Sequence, residues 1–215
     1  NTTIVSSGTQ YLTVKYLKNN DINALATHFW CSPTLLDNHF LANVSIISDL
    51  KVYIIGNVFI GDLSTSNNAL LFKNNYVKGN FHYGDVSAAN WDYTVSNNIF
   101  STGHVTSTGH HSTISYNNFI DSAYLYLNYY DIMVYDNNFC LPVKNCVSFD
   151  NIKHNNFFPI AYFPYDTNQT NYDPMYEIDN PGIATNPLLQ GKGWSAAPEI
   201  DYLKKVRNNP PAIGA

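Results

Sequence analysis

Five of the chain's seventeen tyrosines crowd into the stretch DSAYLYLNYYDIMVYDN, residues 121–137. Leu125 and Leu127 alternate with Tyr124 and Tyr126, the period of a strand with one buried face. That alternation sends the leucines inward and the two tyrosines outward. Tyr135, with Tyr129 or Tyr130, extends the aromatic patch, and Tyr116 joins it from the preceding repeat. Flat rings bordered by hydrogen-bonding groups such as Asp121 and Asp150 are what a sugar-binding groove uses. The competing expectation is that half of these rings pack under loops, since tyrosine is common in strands.

Two other groups of side chains have reactive chemistry. His82 and His104 fall at similar offsets in consecutive repeats, with His110 and His111 close behind. Imidazoles can ligate a metal or act as a base, but no Asp, Glu or Cys stands at a metal-ligand spacing from them, so no metal is expected. Asp121, Asp131, Asp136 and Asp150 recur along the chain and are the residues through which calcium or a glycosidase mechanism would enter. A base in the repeats would have to be Lys73, Lys144 or Lys153, because the single arginine, Arg207, lies near the C-terminus. Thr94 and Thr113 give too few rungs for an ice-binding threonine ladder.

Composition narrows the partners. Of 215 residues 45% are hydrophobic and only 13% charged, against roughly 25% charged in typical soluble domains. Asn, Ser, Thr and Tyr make up the polar surface instead, which suits polysaccharides or neighbouring proteins. A net charge of -5 argues against nucleic acid, and no apolar run approaches the ~20 residues of a membrane span. The sequence opens on Asn1 rather than Met, as expected where a signal segment has been removed. Cys140 and Cys146 share a short loop, where they either pair in an oxidising compartment or remain free, and Cys31 is expected in the core.

The elements that must position these residues are repeats. The pattern apolar-x-x-Asn-x-apolar recurs at Asn20, Asn38, Asn57, Asn75, Asn98, Asn117, Asn137 and Asn155, at intervals of 18, 19, 18, 23, 19, 20 and 18 residues. A period near twenty, with short β-branched or aromatic runs broken by Asn, Gly, Asp and Ser, indicates three short strands and their turns per unit. This is a parallel β-helix whose coils stack about 4.8 Å apart. Asn is expected to take the left-handed corner conformation and to hydrogen-bond up and down its column.

These units resemble the right-handed parallel β-helix repeats of the pectate-lyase-like superfamily. The pair NPLLQG (186–191) and NPPAIGA (209–215) resembles the closing segment of many secreted bacterial β-helix proteins. The resemblance implies an all-β solenoid of about eight coils over residues 1–160 and a non-repetitive, Pro-rich C-terminal cap over 161–215. It also implies a secreted or cell-surface location. It does not carry over a catalytic apparatus, since the Asp-Asp pair and Arg-x-Lys motif of the polygalacturonase-like members do not occur here. The expected function is a non-catalytic structural or adhesive module that contacts polysaccharide or stacks end to end on copies of itself. The rival is a polysaccharide-active lyase or hydrolase, with its groove at Tyr124, Tyr126, Asp121 and Asp150.

Overall fold

The computed structural model describes residues 16–18, 21–22, 25–29, 32–84, 92–108, 111–127, 132–141, 143–144, 152–159, 166, 168–176, 185–190, 192–193, 202–203, 205–206 and 213–214. Asn20, Cys31, His110, Tyr129, Tyr130, Asp131, Cys146, Asp150 and Arg207 lie outside the described residues.

The chain is an all-β parallel solenoid with three faces. Its strands pair in parallel in a twelve-stranded and an eight-stranded sheet. The first face stacks the apolar positions that open each repeat: Leu17, Leu35, Ile54, Phe72, Val95, Ile114, Val134 and Ile152 are register partners in turn. The second face stacks the positions that close it, from Ile22 and Phe40 to Phe139 and Phe157. The third face consists of Leu25–Phe29, the first parts of the long strands Val44–Ile55 and Leu63–Lys73, then Phe81–Tyr83, His104–Ser107 and Tyr124–Leu127. Among the described residues, eight strands stack on each of the first two faces and six on the third, which the parallel bridge from Tyr126 to Lys144 continues. The solenoid has about five turns rather than the eight coils expected.

The core follows from these columns. Phe100, Phe119, Phe139 and Phe157 stack ring on ring at 5.0, 4.6 and 5.2 Å. Where the second-face column carries Val77, Phe81 from the third face fills the space, 4.3 Å from Phe72 and 6.1 Å from Phe100.

The asparagine column is a hydrogen-bonded ladder. Both the backbone N–H and Nδ2 of Asn98 donate to Asn117 Oδ1 at 2.9 Å, while Nδ2 also donates to the carbonyls of Phe72 and Ser96. The paired donation to the next Oδ1 runs unbroken from Asn38 to Asn155. One expectation needs correcting: the left-handed residue is not the ladder asparagine but the one before it. Asp37, Gly56, Asn74, Asn97, Tyr116, Asp136 and His154 hold φ between 53 and 70°. The division of labour is physical. The preceding residue turns the chain, which leaves the ladder Asn free to direct its amide along the column.

The ladder ends on a carboxylate. Asp166, from the segment after the last repeat, takes the place of the next asparagine and is buried there. Thr170 then pairs in parallel with Asn156, continuing the second-face edge. Further on, the Ile213 N–H donates to the Leu189 carbonyl and the Gly214 N–H to the Asp136 carbonyl. Gly214 is at φ 95°, and a Cβ there would stand 2.1 Å from Asn138 Nδ2 and 2.3 Å from Asn118 Oδ1.

That packing explains the repeated NNF. Asn118, Asn138 and Asn156, the second asparagines of the last three doublets, face outward on the second face, yet each is fully buried. Asn138 Nδ2 donates to Asn118 Oδ1 at 2.6 Å, and Asn156 bonds Thr170 and Tyr172. On earlier repeats His39, Val58 and Tyr76 occupy this position in place of asparagine.

Candidate functional site

The third face presents two outward columns side by side. At its corner stand Asn43, Asp62, Asn80, His104 and Tyr124, one per rung; beside them stand Ser45, Ser64, His82, Thr106 and Tyr126. Inward residues separate the columns: Val44, Leu63, Phe81, Val105 and Leu125, all in the core. Pleating alone fixes this arrangement, since alternate residues of a strand face opposite ways.

A second side-chain ladder, not anticipated from the sequence, holds the corner column. The Asp62 N–H donates to Asn43 Oδ1 at 3.0 Å, and the Asn80 N–H and Nδ2 donate to Asp62 Oδ1 at 2.8 and 3.1 Å. The His104 N–H then donates to Asn80 Oδ1 at 3.2 Å. Glycines make the corner this tight: a Cβ on Gly79 would meet the Gly61 carbonyl oxygen at 2.8 Å, and one on Gly103 would meet Asn80 Oδ1 at 2.8 Å. The sequence signal was present as Gly61-Asp62-Leu63, Gly79-Asn80-Phe81 and Gly103-His104-Val105, small-polar-apolar triplets in the same register as the main repeat.

At the N-terminal end of this strip lies an open pocket of about 410 Å³, lined by Asn43, Ser45, Asp62, Ser64, Asn80 and His82 along with Val44 and Leu63. Its side chains are hydroxyls, amides, one carboxylate and one imidazole. Partial burial, reinforced by the neighbouring His104, lowers the His82 pKa, so the ring is held as a neutral hydrogen-bonding group. His82 and His104 are thus neighbours, as their offsets predicted. Among the described residues, no group of three or more His, Cys, Asp or Glu side chains is placed to hold a metal ion.

The expected aromatic platform is only partly assembled. Tyr124 and Tyr126 do point outward, alternating with buried Leu125 and Leu127. Tyr124, however, has both ring faces occupied: His104 stacks on it from the preceding rung at 5.6 Å, and Lys144 Nζ lies 3.7 Å from its centroid from the following one. Its edge and hydroxyl are what remain for a ligand. Tyr116 is a correction. It is 0% exposed because it occupies the left-handed corner position, where the in-out alternation of the strand is broken, and it meets Tyr135 edge-on at 5.9 Å. Tyr135 is half-buried on the first face, where burial pushes its phenol up. Asp121 is exposed but lines a different pocket, with Asp173 and Tyr176 on the second face. Asp136 is buried in the corner column that contains Tyr116, so it forms no acid column with Asp121. The proposed base Lys144 is committed to the Tyr124 ring.

No protein-family model matches the chain, and neither a curated protein nor a solved structure matches it.

Proposed function

We propose that the chain works outside the cell, secreted or at the cell surface, as a non-catalytic structural or adhesive module that lays its third face along a polysaccharide. The strip from Asn43 to Tyr126 carries this reading. It offers two columns of amide, hydroxyl and imidazole groups at a rung spacing of about 4.8 Å, a periodic pattern that a polymer of regularly spaced hydroxyls can match. The corner ladder fixes the side chains of Asn43, Asp62 and Asn80 before any ligand arrives, which lowers the ordering cost of binding. Descent from the pectate-lyase-like superfamily belongs to the same proposal and is supported by the parallel solenoid and the closing NPPAIGA segment.

End-to-end stacking of copies has less support. At the C-terminal end, Asp166 takes the last ladder donors and Thr170 pairs with the second-face edge strand, so these groups are not open to another chain. A polysaccharide-active enzyme needs a base and a charge stabiliser converging in one groove. Here Asp121 and the Tyr124–Tyr126 pair belong to separate surfaces.

Affinity electrophoresis against a panel of neutral and uronic-acid polysaccharides, paired with an assay for new reducing ends and unsaturated products, tests the proposal. Retardation by a polymer without cleavage is expected. Cleavage of any polymer overturns the non-catalytic assignment, and absence of retardation by all of them overturns polysaccharide as the partner.

A further inference from the structure

The corner ladder fixes which groups of the N-terminal pocket donate hydrogen bonds and which accept them. A backbone N–H can only donate, so the Asp62 N–H must face the amide oxygen of Asn43, at 3.0 Å, and the His104 N–H that of Asn80, at 3.2 Å. Both amide nitrogens are thereby turned the other way. Asn80 Nδ2 gives one hydrogen to Asp62 Oδ1 and keeps the other, while Asn43 Nδ2 keeps both among the described residues. Asp62 Oδ1 already accepts from the Asn80 N–H and Nδ2, at 2.8 and 3.1 Å, so Oδ2 is its open acceptor. The corner column therefore reads donor, acceptor, donor over three successive rungs.

The charge of the pocket is fixed as well. Among the described residues that line it, Asp62 is the one ionised side chain: neither Lys nor Arg is present, and burial beside His104 keeps His82 uncharged at neutral pH. Lys78, the nearest lysine in the sequence, closes the second-face strand Tyr76–Lys78 and does not line the pocket. Lys144 lies three rungs beyond His82, seated on the Tyr124 ring. In the adjacent column Ser45 and Ser64 are exposed hydroxyls, which both donate and accept.

We infer that this end of the strip selects a neutral polysaccharide with adjacent hydroxyls over a polyuronate, and that Asp62 sets the preference; this rests on polysaccharide contact at the third face. A hydroxyl can donate to Asp62 Oδ2 and accept from an amide N–H one rung away. A pair of neighbouring sugar hydroxyls thus satisfies the donor, acceptor, donor column. A uronate carboxylate only accepts. Against Asp62 it sets acceptor on acceptor and charge on charge, with no cation in the pocket to offset them, on a chain whose net charge is -5.

The test measures binding isotherms of the full chain on glucomannan, pullulan and amylose, each in native form and with its C6 hydroxyls oxidised to carboxylates. In the wild type, native polymer is expected to bind at least roughly tenfold more tightly than its oxidised form at low salt, and the gap should narrow as salt screens the charge. Asp62→Asn keeps the Oδ1 acceptor that the Asn80 donors need, so the ladder stays intact. It should tighten binding of the oxidised form severalfold and leave native binding within about twofold, because a hydroxyl that donated to Oδ2 can accept from Nδ2 instead. Equal weakening of both forms, as a merely structural role would give, or an unchanged gap overturns the role of Asp62. Oxidised polymer bound as tightly as native by the wild type overturns the preference and leaves polysaccharide contact standing. Binding of neither form of any polymer removes that contact, and the preference with it. The wild-type comparison decides the preference even if the variant fails to fold.

Discussion

Asp166 Oδ2 accepts both the backbone N–H of Asn155, at 2.8 Å, and its Nδ2, at 2.9 Å. From Asn38 to Asn137 each member of the ladder makes this paired donation to an asparagine; Asn155 makes it to a carboxylate. The difference follows from position. An internal rung must accept from one neighbour and donate to the next, which only an amide does. The terminal rung has nothing further to donate to, and its second oxygen is free to accept from the N–H groups of His154 and Asn168, at 3.1 and 3.0 Å.

This cap makes stability depend on pH in a defined direction. Burial raises the Asp166 pKa above the usual range of an aspartate, and the four N–H donors only partly offset it. A carboxyl with a higher pKa folded than unfolded binds more protons in the folded state, so its contribution is full below the unfolded value and is lost as pH rises through the folded one. Thermal unfolding of the wild type and Asp166→Asn from pH 3.5 upward checks this. The stability difference should shift against the wild type as pH rises above about 4 and then level off. A shift in the wild type's favour over that interval would contradict it.

An internal rung should not tolerate the same carboxylate. In Asn98→Asp, oxygen would face the Asn117 Oδ1 and the carbonyls of Phe72 and Ser96 in place of the Nδ2 donor. Each buried group left unpaired costs about 1–3 kcal/mol, so denaturant unfolding should show a loss of several kcal/mol. A change below about 1 kcal/mol would mean the ladder contributes little.

Tyr116 separates a packed ring from a binding ring. Its side chain is fully buried against Tyr135, so Tyr116→Ala should destabilise by about 3–5 kcal/mol in denaturant titration. An exposed platform residue would change stability by no more than about 0.5 kcal/mol.

Tyr83 offers the reverse case. Its hydroxyl is buried without a hydrogen bond of normal geometry, while the nearby Ser107 and Ser112 hydroxyls lie 3.2 Å from each other. The phenol pKa is pushed up to about 12, chiefly by burial. Tyr83→Phe should therefore be neutral or slightly stabilising in thermal melts. A loss beyond about 1.5 kcal/mol would show that the hydroxyl makes a net favourable bond.

The sequence disclosed whatever repeats by residue type. The eight anchor asparagines and their apolar flanks fixed the register of two faces, because both columns demand one kind of side chain. The left-handed position was misassigned because seven different environments accept Asp, Gly, Asn, Tyr or His there, which hides the column. Tyr116 was placed outside for the same reason: its neighbours Ser115 and Asn117 continue an apparent alternation through a corner where it no longer applies. The Gly61, Gly79 and Gly103 triplets were legible but overlooked. The covering of Tyr124 by Lys144 was within reach of the repeat, since each stands seven residues past its anchor asparagine, Asn117 and Asn137; the meeting of Asp121 with Asp173 depends on a segment outside the repeat, and no spacing rule places it.

Binding isotherms of the wild type and of His82→Ala/Tyr126→Ala, measured against whichever polysaccharide retards the protein, test the central claim most directly. Both substituted side chains are outward on the third face and contribute little to the core, so the variant should fold as the wild type does. The account predicts that the double variant loses about tenfold or more in affinity while releasing no reducing ends in either form. Unchanged affinity in the variant would contradict the third face as the contact surface.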